Sequence, residues 1–125
     1  MDGLPAWLKE MYENVDANRG PDVLATFAPD IELQFGARPP ARGVEDAQRT
    51  LAAVHQNFLS VSHRFVNVWE QDGTTICEFV ATYLLPSGDQ VPLPTLTILR
   101  REGERITSMR VYMDEGPLLG RVPRL

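Results

Sequence analysis

Few side chains in this sequence can move a proton inside an apolar environment, and three of them stand where the chain has reason to gather them. Asp114 follows the apolar run Val111, Tyr112 and Met113. A carboxyl group partly removed from water holds its proton more readily, which suits a group that must give and take one. The competing reading of Asp114 is a turn aspartate that caps the backbone around Glu115 and Gly116. His63 opens a strand-like segment, and imidazole changes charge near physiological pH, with a neighbouring carboxylate fixing its tautomer. If the strands pair in the order they occur, His63 and Asp114 form an acid–base dyad; otherwise His63 is a hydrogen-bonded histidine at a sheet rim. Tyr12, four residues after Leu8, flanks the buried face of a first helix. Its hydroxyl serves a ligand oxygen as a donor or, in the plainer reading, a water in the core. His55 falls at one edge of a helical apolar stripe and reads as a helix-surface residue.

Other chemistries find little support. Cys77 is the one cysteine of the chain, so no intrachain disulfide forms, and in the segment TTICEFVAT it reads as a small buried hydrophobe. Two histidines and one cysteine at these spacings give no metal signature, and no motif implies a cofactor. The formal net charge is −5, with eleven arginines and Lys9 spread along the chain. Neither the pair Arg100–Arg101 nor Arg121 and Arg124 builds the basic face that a phosphate backbone requires, so nucleic acid is not an expected partner. No apolar run approaches the roughly 20 residues of a membrane span. The opening MDGLPAWLKEMYENVD is punctuated by charge and lacks the apolar core of a signal peptide. The expected location is cytoplasmic.

The elements that must position these groups follow from periodicity. With 125 residues, 43% of them hydrophobic and 23% charged, the chain holds one domain over residues 1–125. Leu4, Leu8, Met11 and Val15 have helical spacing behind Pro5, and Asn18 to Gly20 stop that helix. Pro21 opens a short second helix, DVLATFA, that ends before Pro29. Asp30 to Phe35 alternates as a strand, and GARPPARG reads as irregular because Pro39 and Pro40 remove two donors in a row. A longer helix runs from about Val44 to Leu59 with Ala47, Leu51, Val54 and Phe58 as its buried stripe. Then Ser62–Glu70, Thr74–Leu84, Val91–Arg101 and Arg105–Met113 are strand-like, joined by QDG, PSGD and EGE. Helices followed by an antiparallel meander imply an α+β fold, with helices on one face of a curved sheet and a concavity between them.

Several strings resemble the NTF2-like superfamily, in its SnoaL-like, ketosteroid-isomerase-like branch. TFAPDIELQFGARPPARG resembles that family's strand and proline-rich lid after the second helix, and GERITSMRVYMDEGPL its final hairpin and strand. The pairing of GDQVPLPTLTIL with the earlier Tyr83 is similar too, and the resemblance extends from about Leu8 to Leu118. It implies a cone of three N-terminal helices packed on a strongly curved, mostly antiparallel sheet around an apolar pocket, with Asp114 at that pocket. Within the resemblance, the base aspartate of ketosteroid isomerases falls on Phe35 and their second acid on Leu96; only their helix-one tyrosine has a counterpart, Tyr12. One tyrosine cannot supply both a base at carbon and donors at oxygen, so steroid isomerisation is not expected. The polar set of limonene-epoxide-hydrolase-like enzymes falls on Leu33, Phe35, Phe79, Ala81 and Val111, all apolar here.

The implied pocket wall is therefore Leu33, Phe35, Phe79, Ala81, Leu96 and Val111, with Tyr83 sharing the parity of Phe79 and Ala81. The expected ligand is a hydrophobic, oxygen-bearing small molecule of the polyketide, terpenoid or steroid-like kind. The expected chemistry is cofactor-free isomerisation, cyclisation or dehydration by Asp114, His63 and Tyr12; the alternative is a non-catalytic protein that holds an apolar ligand or partner. Members of this fold commonly pair through the outer sheet face, and Arg64, Val66, Val68, Val80 and Thr82 have the parity for a homodimer there. The sequence leaves open whether LLGRVPRL closes the pocket or trails from it.

Overall fold

The structure, a computed structural model, describes residues 3–122. Helix α1 spans Ala6–Asp16, behind Pro5, whose carbonyl accepts from the amides of Leu8 and Lys9. Leu8, Met11 and Tyr12 form its buried stripe, as their spacing predicts. Helix α2 is shorter than its sequence suggests, Gly20–Leu24, because the chain enters strand β1 at Phe27 (Phe27–Phe35) and runs straight past Pro29. The proline is tolerated where the pairing of β1 with the last strand shifts register, between Phe27 and Glu32, so no ladder bond is forfeited. The proline-rich segment is not wholly irregular: its end, Ala41–Arg42, is a two-residue strand, β2, antiparallel to Leu33 and Glu32 of β1. Helix α3, Val44–His55, stops four residues before Leu59, and the Asn57 amide donates to the carbonyls of Ala53 and Val54 at its end.

The meander follows as β3 (Ser60–Gln71), β4 (Thr74–Leu84), β5 (Gln90–Glu102) and β6 (Arg105–Met113). Asp72 and Gly73 both take positive φ, 51° and 77°, in the tight turn between β3 and β4. The sheet order is β2-β1-β6-β5-β4-β3, antiparallel throughout except for the parallel pair β1–β6. This is the α+β cone: α1 packs against β3 and α3 against β1 and β2, closing the concave face. No helix among the described residues is long and apolar enough to cross a membrane.

Two expectations about strand faces are corrected. Leu96 lies on the outer face and is half-buried, while its neighbours Thr95 and Thr97, 4% and 0% exposed, point inward. Strand β5 carries apolar residues on both faces, so hydrophobicity alone could not fix which set looks in. Val68 turns inward and packs against the core, because a bulge between Phe65 and Asn67 shifts the β3 register by one residue. Trp69 takes the outer position instead, 51% exposed. Arg64, Val66, Val80 and Thr82 lie on the outer face as expected.

Candidate functional site

A cavity of about 220 Å³ lies between the concave sheet, α1 and α3. Its exposed lining residues, Asn18, Arg19, Gly20, Pro21, Gln48 and Ala52, border an opening between the α1–α2 turn and α3. Farther in, the lining is Phe27, Phe35, Phe79, Met109 and Val111, all buried. Of the expected walls, Phe35, Phe79, Tyr83 and Val111 line the open volume; Leu33 and Ala81 are fully buried behind it, and Leu96 is on the opposite face.

His63 lines this cavity, but its partner is not Asp114. Asp16, the last residue of α1, reaches it with both carboxylate oxygens. Oδ1 lies 2.5 Å from the imidazole Nδ1, and Oδ2 accepts the His63 backbone N–H at 3.0 Å. Strand β3 is a sheet edge, so that amide has no strand to bond, and the helix end takes the place of one. Facing a carboxylate, Nδ1–H is the donor, and Nε2 has no protein partner among the described residues. The rings of Tyr12 and Phe79 stand 4.8 and 4.9 Å from the imidazole, centroid to centroid. The His63 side chain is 8% exposed and that of Asp16 29%, so the imidazole is sheltered while the carboxylate keeps some water.

Asp114 takes the plainer of its two readings. It is exposed, does not line the cavity, and its Oδ1 accepts the Gly116 N–H at 2.9 Å within its own turn. The expected His63–Asp114 dyad is not formed. Tyr12 does line the cavity, but its hydroxyl is sealed from solvent in the wall, where its neighbours are the Thr97 hydroxyl and the Cys77 thiol. Burial raises its pKa well above the ordinary tyrosine value. Tyr12 thus gives the site its ring and withholds its hydroxyl. The Tyr83 hydroxyl points at the Met113 sulfur, 3.6 Å away, and burial raises its pKa as well. Cys77, its thiol pushed up to about 12 by burial, is no nucleophile.

His55 is the cavity residue that periodicity places on the helix surface. It is half-buried at the last turn of α3 and lines the same volume as His63. Burial lowers its pKa, the proximity of His63 lowers it further, and Asp16 opposes both. Periodicity does not single out Asp16 at all, although one signal marks it. A carboxylate in the last turn of a helix sits at the unfavourable end of the helix dipole, and α1 has no basic residue in that turn to compensate. Among the described residues no three histidine, cysteine, aspartate or glutamate side chains are grouped to hold a metal ion.

An ion pair joins Arg38, in the proline-rich loop, to Glu115, 2.7 Å apart and both mostly buried. The C-terminal segment does not trail freely in its described part. A 3-10 turn at Gly116–Leu118 buries Leu118, Val122 is buried, and Arg121 pairs with Asp89 at 2.9 Å. The end of that segment, with Arg124, lies outside the described residues.

The same architecture recurs in solved structures. A protein with a ketosteroid isomerase-like fold from Catenulispora acidiphila, in complex with trimethylamine, superposes with a TM-score of 0.83 at 18% identity, over 94% of this chain and 92% of that one. An NTF2-like protein of unknown function from Burkholderia pseudomallei gives 0.80 at 16% identity, over 93% and 94%. A candidate SnoaL-like polyketide cyclase from Jannaschia sp. CCS1 gives 0.76 at 18% identity, over 98% and 95%. At these identities the likeness concerns the fold. No curated protein matches the sequence. The profile of the SnoaL-like domain matches residues 8–109, most of the chain, and on that match this protein belongs to the SnoaL-like domain family of the NTF2-like superfamily.

Proposed function

We propose that this protein is a cofactor-free acid–base enzyme that relocates a proton in a small, apolar, oxygen-bearing molecule. The observation that carries the reading is the Asp16–His63 pair on the wall of an apolar cavity, with Nε2 unpartnered. Nε2 takes a proton from a carbon next to a carbonyl, and Asp16 balances the charge that the ring then carries. Loss of that proton followed by its return at another carbon is isomerisation; expulsion of a β-hydroxyl, which takes the proton from the imidazolium and leaves as water, is dehydration; attack on a second carbonyl, whose oxygen takes that proton, is cyclisation. The cyclase description of the Jannaschia relative is consistent with this range. Size narrows the substrate. A cavity of roughly 150 Å³ holds one benzene, so about 220 Å³ suits one ring or a compact pair of rings rather than a four-ring skeleton.

Simple ketones can stand in for the natural substrate in the test. Incubated in D₂O with a panel of cyclic ketones and enones, 2-cyclohexen-1-one among them, the protein exchanges the acidic carbon-bound protons faster than buffer does, as read by proton NMR. His63→Gln lowers that rate by about 10²–10⁴-fold. Exchange no faster than buffer with every ketone would overturn the reading. A second reading, a non-catalytic binder of apolar ligands, draws on Asp114 capping its own turn. Ketones that bind without exchanging would favour it.

The outer sheet face supports a homodimer as a further part of the proposal. Trp69, Tyr112 and Val66 are 51%, 49% and 40% exposed there, beside the half-buried Val80, Leu96 and Ile98. An apolar face of this kind is ordinarily covered by a partner. Sedimentation at micromolar concentration gives a dimer, and Trp69→Glu shifts it to monomer; a monomeric wild type would rule out this face.

A further inference from the structure

We propose that His55 is the donor that holds the substrate oxygen while His63 acts at carbon, so that two imidazoles share one cavity with divided roles. This rests on the acid–base reading above. Enolisation needs a base at the carbon and a donor at the oxygen that gains charge. Of the other cavity hydroxyls, that of Tyr12 is sealed in the wall, that of Thr95 is bonded to the Leu93 carbonyl, and that of Tyr83 meets the Met113 sulfur. Thr97 Oγ1 is buried out of reach of solvent. The nitrogen donors Asn18, Arg19 and Gln48 are exposed at the cavity mouth, and Asn14 is tied to Arg19 through its Oδ1. His55, half-buried on the lining with no ring hydrogen bond among the described residues, is the donor that shares the sheltered volume with His63.

Its surroundings suit it to the neutral form. The charges that act on it are those of His63 on β3 and Asp16 on α1, and burial, with His63, disfavours a second imidazolium there. A neutral imidazole is still an N–H donor, and it polarises a carbonyl without bringing a positive charge beside the base. The step balances. A C–H bond breaks, its proton goes to His63 Nε2, and the electron pair moves onto oxygen, where it accepts a hydrogen bond from the His55 N–H. The enolate is neutralised when His63 returns the proton to carbon.

A phenol imitates that oxyanion. 4-Nitrophenol, one ring with its own absorbance signal, is titrated against the wild type, His55→Leu and His55→Gln, with 4-nitrotoluene as the same shape lacking the hydroxyl. The wild type binds both; His55→Leu weakens 4-nitrophenol at least tenfold, His55→Gln restores it to within threefold, and neither variant moves 4-nitrotoluene by more than threefold. An affinity for 4-nitrophenol in His55→Leu within threefold of wild type overturns the role of His55 and leaves the His63 base standing. Failure of both probes to bind the wild type overturns the cavity reading and this inference with it. If His55→Leu does not fold, the wild type decides. The His55 ring proton moves downfield in NMR when 4-nitrophenol is added and stays in place with 4-nitrotoluene; an unmoved proton with 4-nitrophenol overturns the proposal.

Discussion

Asp16→Asn lowers the rate of ketone deuterium exchange by about two to four orders of magnitude while leaving the protein folded. The reason is the double acceptor. The carboxylate takes the His63 ring N–H with one oxygen and the His63 backbone N–H with the other. An asparagine has one acceptor and one donor at the same two positions. If its amide NH₂ faces the ring, Nδ1 must become the acceptor and the proton moves to Nε2, which silences the base. If the NH₂ faces the backbone N–H, two donors oppose each other and the helix end is pushed away. Asp16→Ala removes the charge as well and should be at least as severe. The prediction is checked by comparing exchange rates with circular dichroism melting of the same samples. An Asp16→Asn protein that keeps its exchange rate within threefold would show that the pair has a structural role only.

Phe79→Ala has the largest expected effect on stability, about 3–5 kcal/mol by equilibrium urea unfolding. Phe79 is 2% exposed and sits at the middle of an aromatic cluster, its ring 4.9 Å from His63, 5.3 Å from Tyr12 and 5.8 Å from Phe65. Removing it deletes apolar contacts on α1 and β3 together, and the surrounding sheet cannot collapse to fill the gap. The void also merges with the cavity that Phe79 lines. Phe79→Leu, which keeps most of the apolar volume, loses less. A loss below about 1 kcal/mol for Phe79→Ala would mean that the cluster repacks freely and does not hold His63 in place.

The fold was legible because each element carries its own signal. Leu8, Met11 and Tyr12 repeat at helical spacing, Cys77, Phe79, Ala81 and Tyr83 alternate inward along β4, and Gly or Asp marks the turns. What failed were the decisions that depend on one residue of register. Leu96 and Thr97 swap faces because β5 is apolar on both sides, and Val68 swaps because a bulge is invisible to alternation. The cavity is legible as apolar, but the carboxylate that meets His63 is Asp16 and not Asp114. Asp114 stands at the end of a strand, where family strings draw attention, whereas Asp16 ends a helix 47 positions before His63. Only packing of α1 against β3 brings that pair together. His55 escaped because an apolar stripe predicts which side of a helix is covered, and not whether the cover is protein or an open volume.

The parallel pairing of β1 with β6 has a consequence for how the chain comes to exist. Phe35 lies beside Val111, 111 − 35 = 76 positions later, with three strands of the meander, β3 to β5, completed in between. The meander is built of local contacts, whereas β1 must wait for β6, so pairing of β1 onto the open sheet is the step of high contact order. During synthesis at roughly 5–20 residues per second, α1, β1 and their apolar stripes leave the ribosome several seconds before their last partner does. The expected order therefore completes the cavity last and leaves the apolar stripes of the nascent N-terminal third uncovered for longest.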